Sequence, residues 1–206
     1  WIYEKHLVNG NLKVLRRKGK SHGVKETRGK YSKGKSIRKR DKSVYSREEA
    51  GHWEADTVVS GQGKSKACFA TLAERKTRFY IAMKMSDRRA ETMENAIVAA
   101  LSAFPPQLVK TITCDRGTEF ANWRRIEERL HCEVYFADPY CAWQKGTNEN
   151  LNGLLREFYP KGRNLSRVAP ATLKRNLALL NARPRKVLYF HSAQELWDFE
   201  LNSCCT

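Results

Sequence analysis

Alternation of apolar and polar side chains begins at residue 52 and sets the layout of everything after it. His52–Val59 alternates and carries Trp, Thr and Val, the residue types that suit a pleated, half-buried strand. Segments 66–75 and 77–85 have the same character, with Glu74-Arg75-Lys76 beside the turn between them. Three strands joined this closely predict an antiparallel meander. The period then changes. Met93, Ile97, Ala100, Leu101 and Phe104 share one helical face, and Pro105-Pro106 stops the helix. A short strand is predicted at 109–115, and a helix through Phe120, Trp123, Ile126, Glu127 and Leu130. A fifth strand is predicted at 132–138, and Pro139–Thr147 reads as a loop.

Three more helices follow. In 148–159, Leu151, Leu154, Leu155 and Phe158 form an apolar stripe, with Glu149, Asn152, Gly153 and Arg156 on the opposite side. Segment 170–182 turns Leu173, Leu177 and Leu180 inward, and Ser192 with Glu195 forms a capping box for the last helix. The order β-β-β-α-β-α-β-α-α-α predicts an α/β fold: a five-stranded mixed sheet, three antiparallel strands and then two alternating with helices, flanked by helices.

Charge divides the chain in two. The net charge is +17, of which residues 1–47 carry +13 and residues 48–206 only +4. A charge of this sign points to a polyanionic partner. Residues 1–47 read as a basic linker or DNA-binding arm. Within it, 18–42 has too few large apolar side chains to offset its ordering entropy, so flexibility alone and ordering on nucleic acid are expected. Residues 48–206 read as the globular body. No apolar run approaches the roughly 18 residues of a membrane span; the longest, Ala96–Leu101, has six. No secretory leader is recognised, and the chain opens on Trp1, so a piece of a longer cytoplasmic protein is expected. The six Cys (68, 114, 132, 141, 204, 205) include no Cys-x-x-Cys pair and read as reduced thiols. The five His show no ligand spacing, which argues against structural zinc.

The body's acids are its candidate chemistry. Asp56 lies in mid-strand, with Glu54 on the same face by the two-residue period. Asp115 ends the fourth predicted strand, where ligands collect in α/β sheets. Glu149 opens a helix straight after a polar loop. Each alone reads equally as a salt-bridged or capping acid. Together, carboxylates from two strands and one helix can converge on a divalent cation. Hard oxygen ligands that leave coordination positions free suit Mg²⁺ holding phosphate oxygens.

The local sequence around these acids is similar to the DDE transposases of bacterial insertion sequences, specifically the IS-thirty family. The resemblance rests on His52-Trp53-Glu54-Ala55-Asp56, on Thr71 to Arg78, on Cys114-Asp115-Arg116-Gly117-Thr118-Glu119-Phe120-Ala121, and on Trp143-Gln144-Lys145-Gly146-Thr147-Asn148-Glu149-Asn150 through Arg156. Asn181-Ala182-Arg183-Pro184-Arg185-Lys186 closes it, and 33 residues separate Asp115 from Glu149. The resemblance covers about residues 50–200. It implies a ribonuclease H-like fold in which Asp56, Asp115 and Glu149 are the catalytic, metal-binding triad for two Mg²⁺ ions, with Mn²⁺ as a substitute. Glu54, Asn148 and Asn152 would support those ligands, and Lys145, Arg156, Arg183, Arg185 and Lys186 would contact DNA. The implied activity is cleavage at insertion-sequence ends followed by 3′-OH attack on a second phosphodiester. The implied partners are terminal-repeat and target DNA and further copies of the chain, as a homodimer or higher synaptic assembly at the nucleoid.

Two positions depart from the family pattern. Ala55 replaces the usual Gly between Glu54 and Asp56, and Cys141-Ala142 stands where Ser-Pro is common. The family's N-terminal helix-turn-helix region is not recognised here. Two rival readings are a non-catalytic DNA-binding or repressor remnant, and a host nuclease of the same fold. Around the triad, Glu119 reads as a helix N-terminal acid or as a neighbour of the site, and Asp138 as a turn residue. Trp143 is either a DNA-pressing side chain or a plug for its loop.

Overall fold

The computed structural model describes residues 34–139 and 141–204. Six strands form one sheet: β1 (Lys35–Ser36), β2 (His52–Val59), β3 (Cys68–Glu74), β4 (Tyr80–Met85), β5 (Thr111–Cys114) and β6 (Glu133–Phe136). Their spatial order is β1-β6-β5-β2-β3-β4. The predicted meander is β2-β3-β4, paired antiparallel, and β5, β6 and β1 extend the sheet in parallel from β2. The helices are α1 (Ala90–Leu101), α2 (Trp123–Leu130), α3 (Gly146–Phe158), α4 (Pro170–Ala182) and α5 (Ala193–Ser203). No helix among the described residues is long and apolar enough to cross a membrane.

The sheet has six strands where five were expected. The sixth, β1, is two polar residues long and shows no alternation to read, yet it pairs in parallel with Tyr135 and Phe136. Gly34 permits the approach, because a Cβ there would meet the Phe136 ring at 2.2 Å. The end of the basic segment therefore belongs to the body. Ile37 and Val44 are buried. Arg40 is also buried; it donates to Thr113 Oγ1 (2.7 Å) and lies over the Tyr45 ring. An arginine that finds a hydroxyl and an aromatic face can be enclosed where composition alone predicts solvent. Residues 1–33 of the expected arm lie outside the described residues, as does Cys205.

The two-residue strand period sends alternate side chains to two cores. On one face Trp53, Ala55 and Leu72 pack with Met93, Ile97 and Leu101 of α1, Ile126 and Leu130 of α2, and Trp197 of α5. Trp53 donates to the Leu108 carbonyl (2.8 Å) and meets Phe104 and Trp197 in ring contact. On the other face Val58, Phe69 and Tyr80 pack with Leu151, Leu155 and Tyr159, and with Leu173 and Leu180 of α4. Each such apolar side chain removed from water contributes about 1.5–3 kcal/mol. Glu54, Thr71 and Asp56 share the second face, so α3 is laid directly over two acids. The capping box at Ser192 and Glu195 forms as predicted and starts α5. The helix expected from Phe120 starts instead at Trp123, after a separate 3-10 turn at Thr118–Phe120. Cys68, Cys114, Cys132, Cys141 and Cys204 are free thiols, and burial raises those of Cys68, Cys114 and Cys132.

Candidate functional site

The first two acids are aligned by backbone register. β2 and β5 pair in parallel, with His52 opposite Thr111 and Glu54 opposite Thr113. Two residues further along, the same register brings Asp56 level with Asp115. Neighbouring strands lie about 4.8 Å apart, so the sheet sets the separation of the two side-chain bases. β5 ends at Cys114, so Asp115 leaves the ladder at the carboxyl edge of the sheet. Gly117 N–H donates to Asp115 Oδ1 (2.8 Å) and orients it. A Cβ at Gly117 would meet Glu119 Oε2 at 2.4 Å and Asp115 Oδ1 at 2.9 Å, so a side chain there would push these carboxylates aside.

Helix α3 fixes the other side. Asn148 and Asn152 are one helical turn apart, which matches the Glu54 to Asp56 step along β2. Asn148 N–H donates to Glu54 Oε2 (2.9 Å), and its amide donates to the carbonyls of Glu54 (2.6 Å) and Thr71 (3.2 Å). Thr71 Oγ1 donates to Asn148 Oδ1 (3.1 Å). Asn152 Nδ2 donates to Asp56 Oδ2 (3.0 Å), and Tyr80 donates its hydroxyl proton to Asn152 Oδ1 (2.6 Å). Asn152 therefore faces the sheet, not the polar side predicted for it. The amphipathic pattern does not distinguish a solvated amide from one aimed at a buried acid. Glu54 is fully buried and paired with Arg75, so its carboxylate anchors α3 and stands outside the cavity.

Asp56, Asp115 and Glu149 line one open cavity of about 590 Å³. Lys145 reaches into it. Its ammonium lies 3.4 Å from Asp56 Oδ1 and 3.5 Å from Asp115 Oδ2, and donates to the Ala55 carbonyl (3.2 Å). Burial opposes charge on Lys145, but Asp56 and Asp115 outweigh it and hold its pKa above the ordinary lysine value. Among the described residues no three carboxylate, histidine or cysteine side chains already form a closed metal cluster. The donor set still fits a hard divalent cation: carboxylate oxygens on a rigid sheet edge, with a positive group already seated between two of them.

Glu119 satisfies both of its sequence readings: it lies in the first turn of the 3-10 helix and beside the site. It is buried on the cavity wall, accepts from Thr57 Oγ1 (3.1 Å) and pairs with Arg88 (3.3 Å). Its position in a separate 3-10 turn turns it inward, and Gly117 was the available signal. Asp138 holds the loop: its N–H donates to Gln144 Oε1 (2.7 Å) and its carboxylate accepts from Arg38 (3.0 Å). The bond from Arg38, then that from Gln144, holds the Asp138 carboxyl below its usual pKa. Trp143 is 73% exposed, so it does not plug the loop.

The expected DNA contacts are not gathered in one place. Only Lys145 lines the cavity. Arg156 donates to the Val59 carbonyl (3.1 Å), Arg183 pairs with Glu157 (3.2 Å), and Arg185 donates to the Leu180 carbonyl (3.0 Å). Lys186 is exposed beside them.

Asp56, Asp115 and Glu149 thus come from β2, the end of β5 and α3 to line one cavity. An integrase core domain matches residues 46–142, which include the first two acids and stop short of Glu149. Over 165 residues the chain is 37% identical to a probable transposase for the insertion-like element IS1161 of Streptococcus salivarius, covering 80% of this chain and 46% of that one. Over 193 residues it is 35% identical to transposase InsI for insertion element IS30C of Escherichia coli K12, covering 90% and 50%. The chain is thus similar to transposases of bacterial insertion sequences, and it spans about half the length of these relatives. Its fold is shared with the catalytic core of BIV integrase (TM-score 0.57, 16% identity, 76% of this chain and 99% of that one). It is shared too with the HTLV-2 integrase core in complex with magnesium (TM-score 0.54, 14% identity, 71% and 95%).

Proposed function

We propose that this chain is the catalytic domain of a DNA transposase that cuts phosphodiesters at the ends of an insertion sequence and joins them to target DNA. The observation that carries the reading is the placement of Asp56, Asp115 and Glu149 around one open cavity, two of them in a single register row of parallel strands. These three side chains would hold two Mg²⁺ ions, or Mn²⁺ in their place. Held there, divalent cations would supply Lewis-acid polarisation of the phosphodiester oxygens. Asn152 holds Asp56, and Gly117 N–H orients Asp115. Glu54, fixed by Arg75 and Asn148, keeps α3 and hence Glu149 in place over β2. Water first hydrolyses the phosphodiester and frees a 3′-OH, which then attacks a second phosphodiester in the same cavity. No serine or tyrosine nucleophile is needed.

Lys145 and exposed Lys186 supply positive charge for the backbone of terminal-repeat and target DNA. Arg156, Arg183 and Arg185 would join them on exchanging their present protein acceptors for phosphate oxygens. Residues 1–33, carrying +8, add sequence-independent affinity. Synapsis of two ends requires a homodimer or larger assembly at the nucleoid. The test is incubation with labelled element-end DNA and Mg²⁺. Cleaved and joined products support the reading, cleavage without joining marks a nuclease, and binding alone marks a repressor remnant. Asp115→Asn must abolish both products, and retained nicking sinks the triad assignment.

A further inference from the structure

Lys145 occupies an unusual position for a side chain at the mouth of a cavity: it is largely buried, and its charge points inward. Its ammonium sits between Asp56 Oδ1 (3.4 Å) and Asp115 Oδ2 (3.5 Å) and is tied to the Ala55 carbonyl (3.2 Å). These carboxylate oxygens are the ones a divalent cation would use, so the ammonium and the ion contend for one place. Two cations so close to the same pair would repel strongly in a partly desolvated site. We propose that Lys145 is a built-in counter-ion that must leave the Asp56–Asp115 pair before metal enters, and that its released ammonium then serves the phosphate at the cavity rim. The inference rests on the metal-binding reading given above.

The local structure allows that movement without unfolding the loop. Lys145 ends the 3-10 turn Ala142–Lys145, whose backbone is held because Gln144 is bonded to Asp138. A swing of the lysine's own flexible four-carbon stem is sufficient. Lys145 and Glu149 are four residues apart at the start of α3, a spacing that keeps side chains on one helical face. The displaced ammonium thus stays beside Glu149, where the scissile phosphate must lie. Seated, it offsets one of the two negative charges of Asp56 and Asp115 and lessens their repulsion in the metal-free protein.

The test is direct binding of Mn²⁺, read as loss of the free-ion signal in electron paramagnetic resonance, on the full chain without DNA. Wild type, Lys145→Gln and Lys145→Met are compared, with circular dichroism as the check of folding. Two neutral variants guard against one that folds poorly. Both are expected to bind Mn²⁺ at least about tenfold more tightly than wild type, since the competing charge is gone. They are also expected to melt at lower temperature than wild type in chelator and to gain more on adding Mn²⁺. Affinity equal to or weaker than wild type in the folded variants overturns the proposal and leaves the metal site standing. Absence of binding in wild type and both variants overturns the metal reading and the proposal together. Adding Asp115→Asn to Lys145→Gln must abolish the tight binding; if tight binding survives, the ion sits elsewhere and the proposal fails.

Discussion

Asn152 donates a hydrogen bond to Asp56 across 3.0 Å, from helix α3 to the middle of the sheet. Its own oxygen accepts from Tyr80, so its amide cannot flip without losing both bonds. Asn152→Ala should lower cleavage roughly 10–100-fold, the usual effect of removing a group that orients a metal ligand. The urea midpoint should move little, because Asn152 is only half-buried. A cleavage time course beside a denaturation curve separates the two effects.

Asn148 should behave in the opposite way. Its amide links the backbone of β2 and β3 to α3 and is fully buried. Asn148→Ala removes its bonds to two buried carbonyls and leaves the Thr71 hydroxyl with the Asp56 carbonyl alone (3.2 Å), at a cost of about 1–3 kcal/mol. Urea unfolding should show this loss whether or not metal is present.

At Gly117 the prediction concerns space. A methyl group there would overlap the Glu119 and Asp115 carboxylates, so one of them must move. Gly117→Ala should cost about 1–3 kcal/mol in stability. Movement of Asp115 should reduce cleavage as well, whereas movement of Glu119 alone should spare it. A crystal structure of the variant would show which carboxylate yields.

The strand meander, the helix order and the choice of Asp56, Asp115 and Glu149 as acids that share a site were legible because each depends on short-range signals: alternation, Pro stops, caps and local words around the acids. What escaped had to be read across the fold. β1 has two polar residues and exists only because β6 offers it a partner. That both readings of Glu119 hold depends on a 3-10 turn that periodicity does not mark. The resemblance puts Asn152 beside the metal ligands, but its bond to Asp56 in particular could not be read from the helical pattern. Lys145 is expected to contact DNA, and its seat between Asp56 and Asp115 depends on groups brought together only by the fold.

The basic segment gives a prediction that splits in two. Deleting residues 1–33 removes a net charge of +8 and should flatten the dependence of DNA affinity on salt while leaving the body folded. Deleting residues 1–47 removes Ile37, Arg40 and Val44 as well and should lower the melting temperature by several degrees. Salt titrations and melting curves on the two truncations distinguish these effects. An unchanged salt slope after the shorter deletion would show that the segment makes no contact with phosphate.

His52 adds a dependence on pH. It is buried beside Thr111, and burial lowers its pKa below the ordinary value of 6.5 in spite of the hydrogen bond with Glu49. Below 6.5 the unfolded chain therefore takes up a proton that the folded chain resists. Stability contributed by neutral His52 is present above that pH and falls as pH drops towards the folded value, by at most about 1.4 kcal/mol per pH unit. His52→Gln should remove that part of the slope, as followed by urea midpoints from pH 7 to pH 5.

The register that levels Asp56 with Asp115 also bears on the order in which the protein assembles. The two acids are 59 positions apart in the chain and are brought together only by the parallel pairing of β2 with β5. Pairings of such long sequence separation close late in folding. The meander β2-β3-β4 can form from neighbouring segments while Asp115 is still elsewhere. A chain emerging from the ribosome thus lacks the Asp56–Asp115 pair until nearly all of its sheet is built.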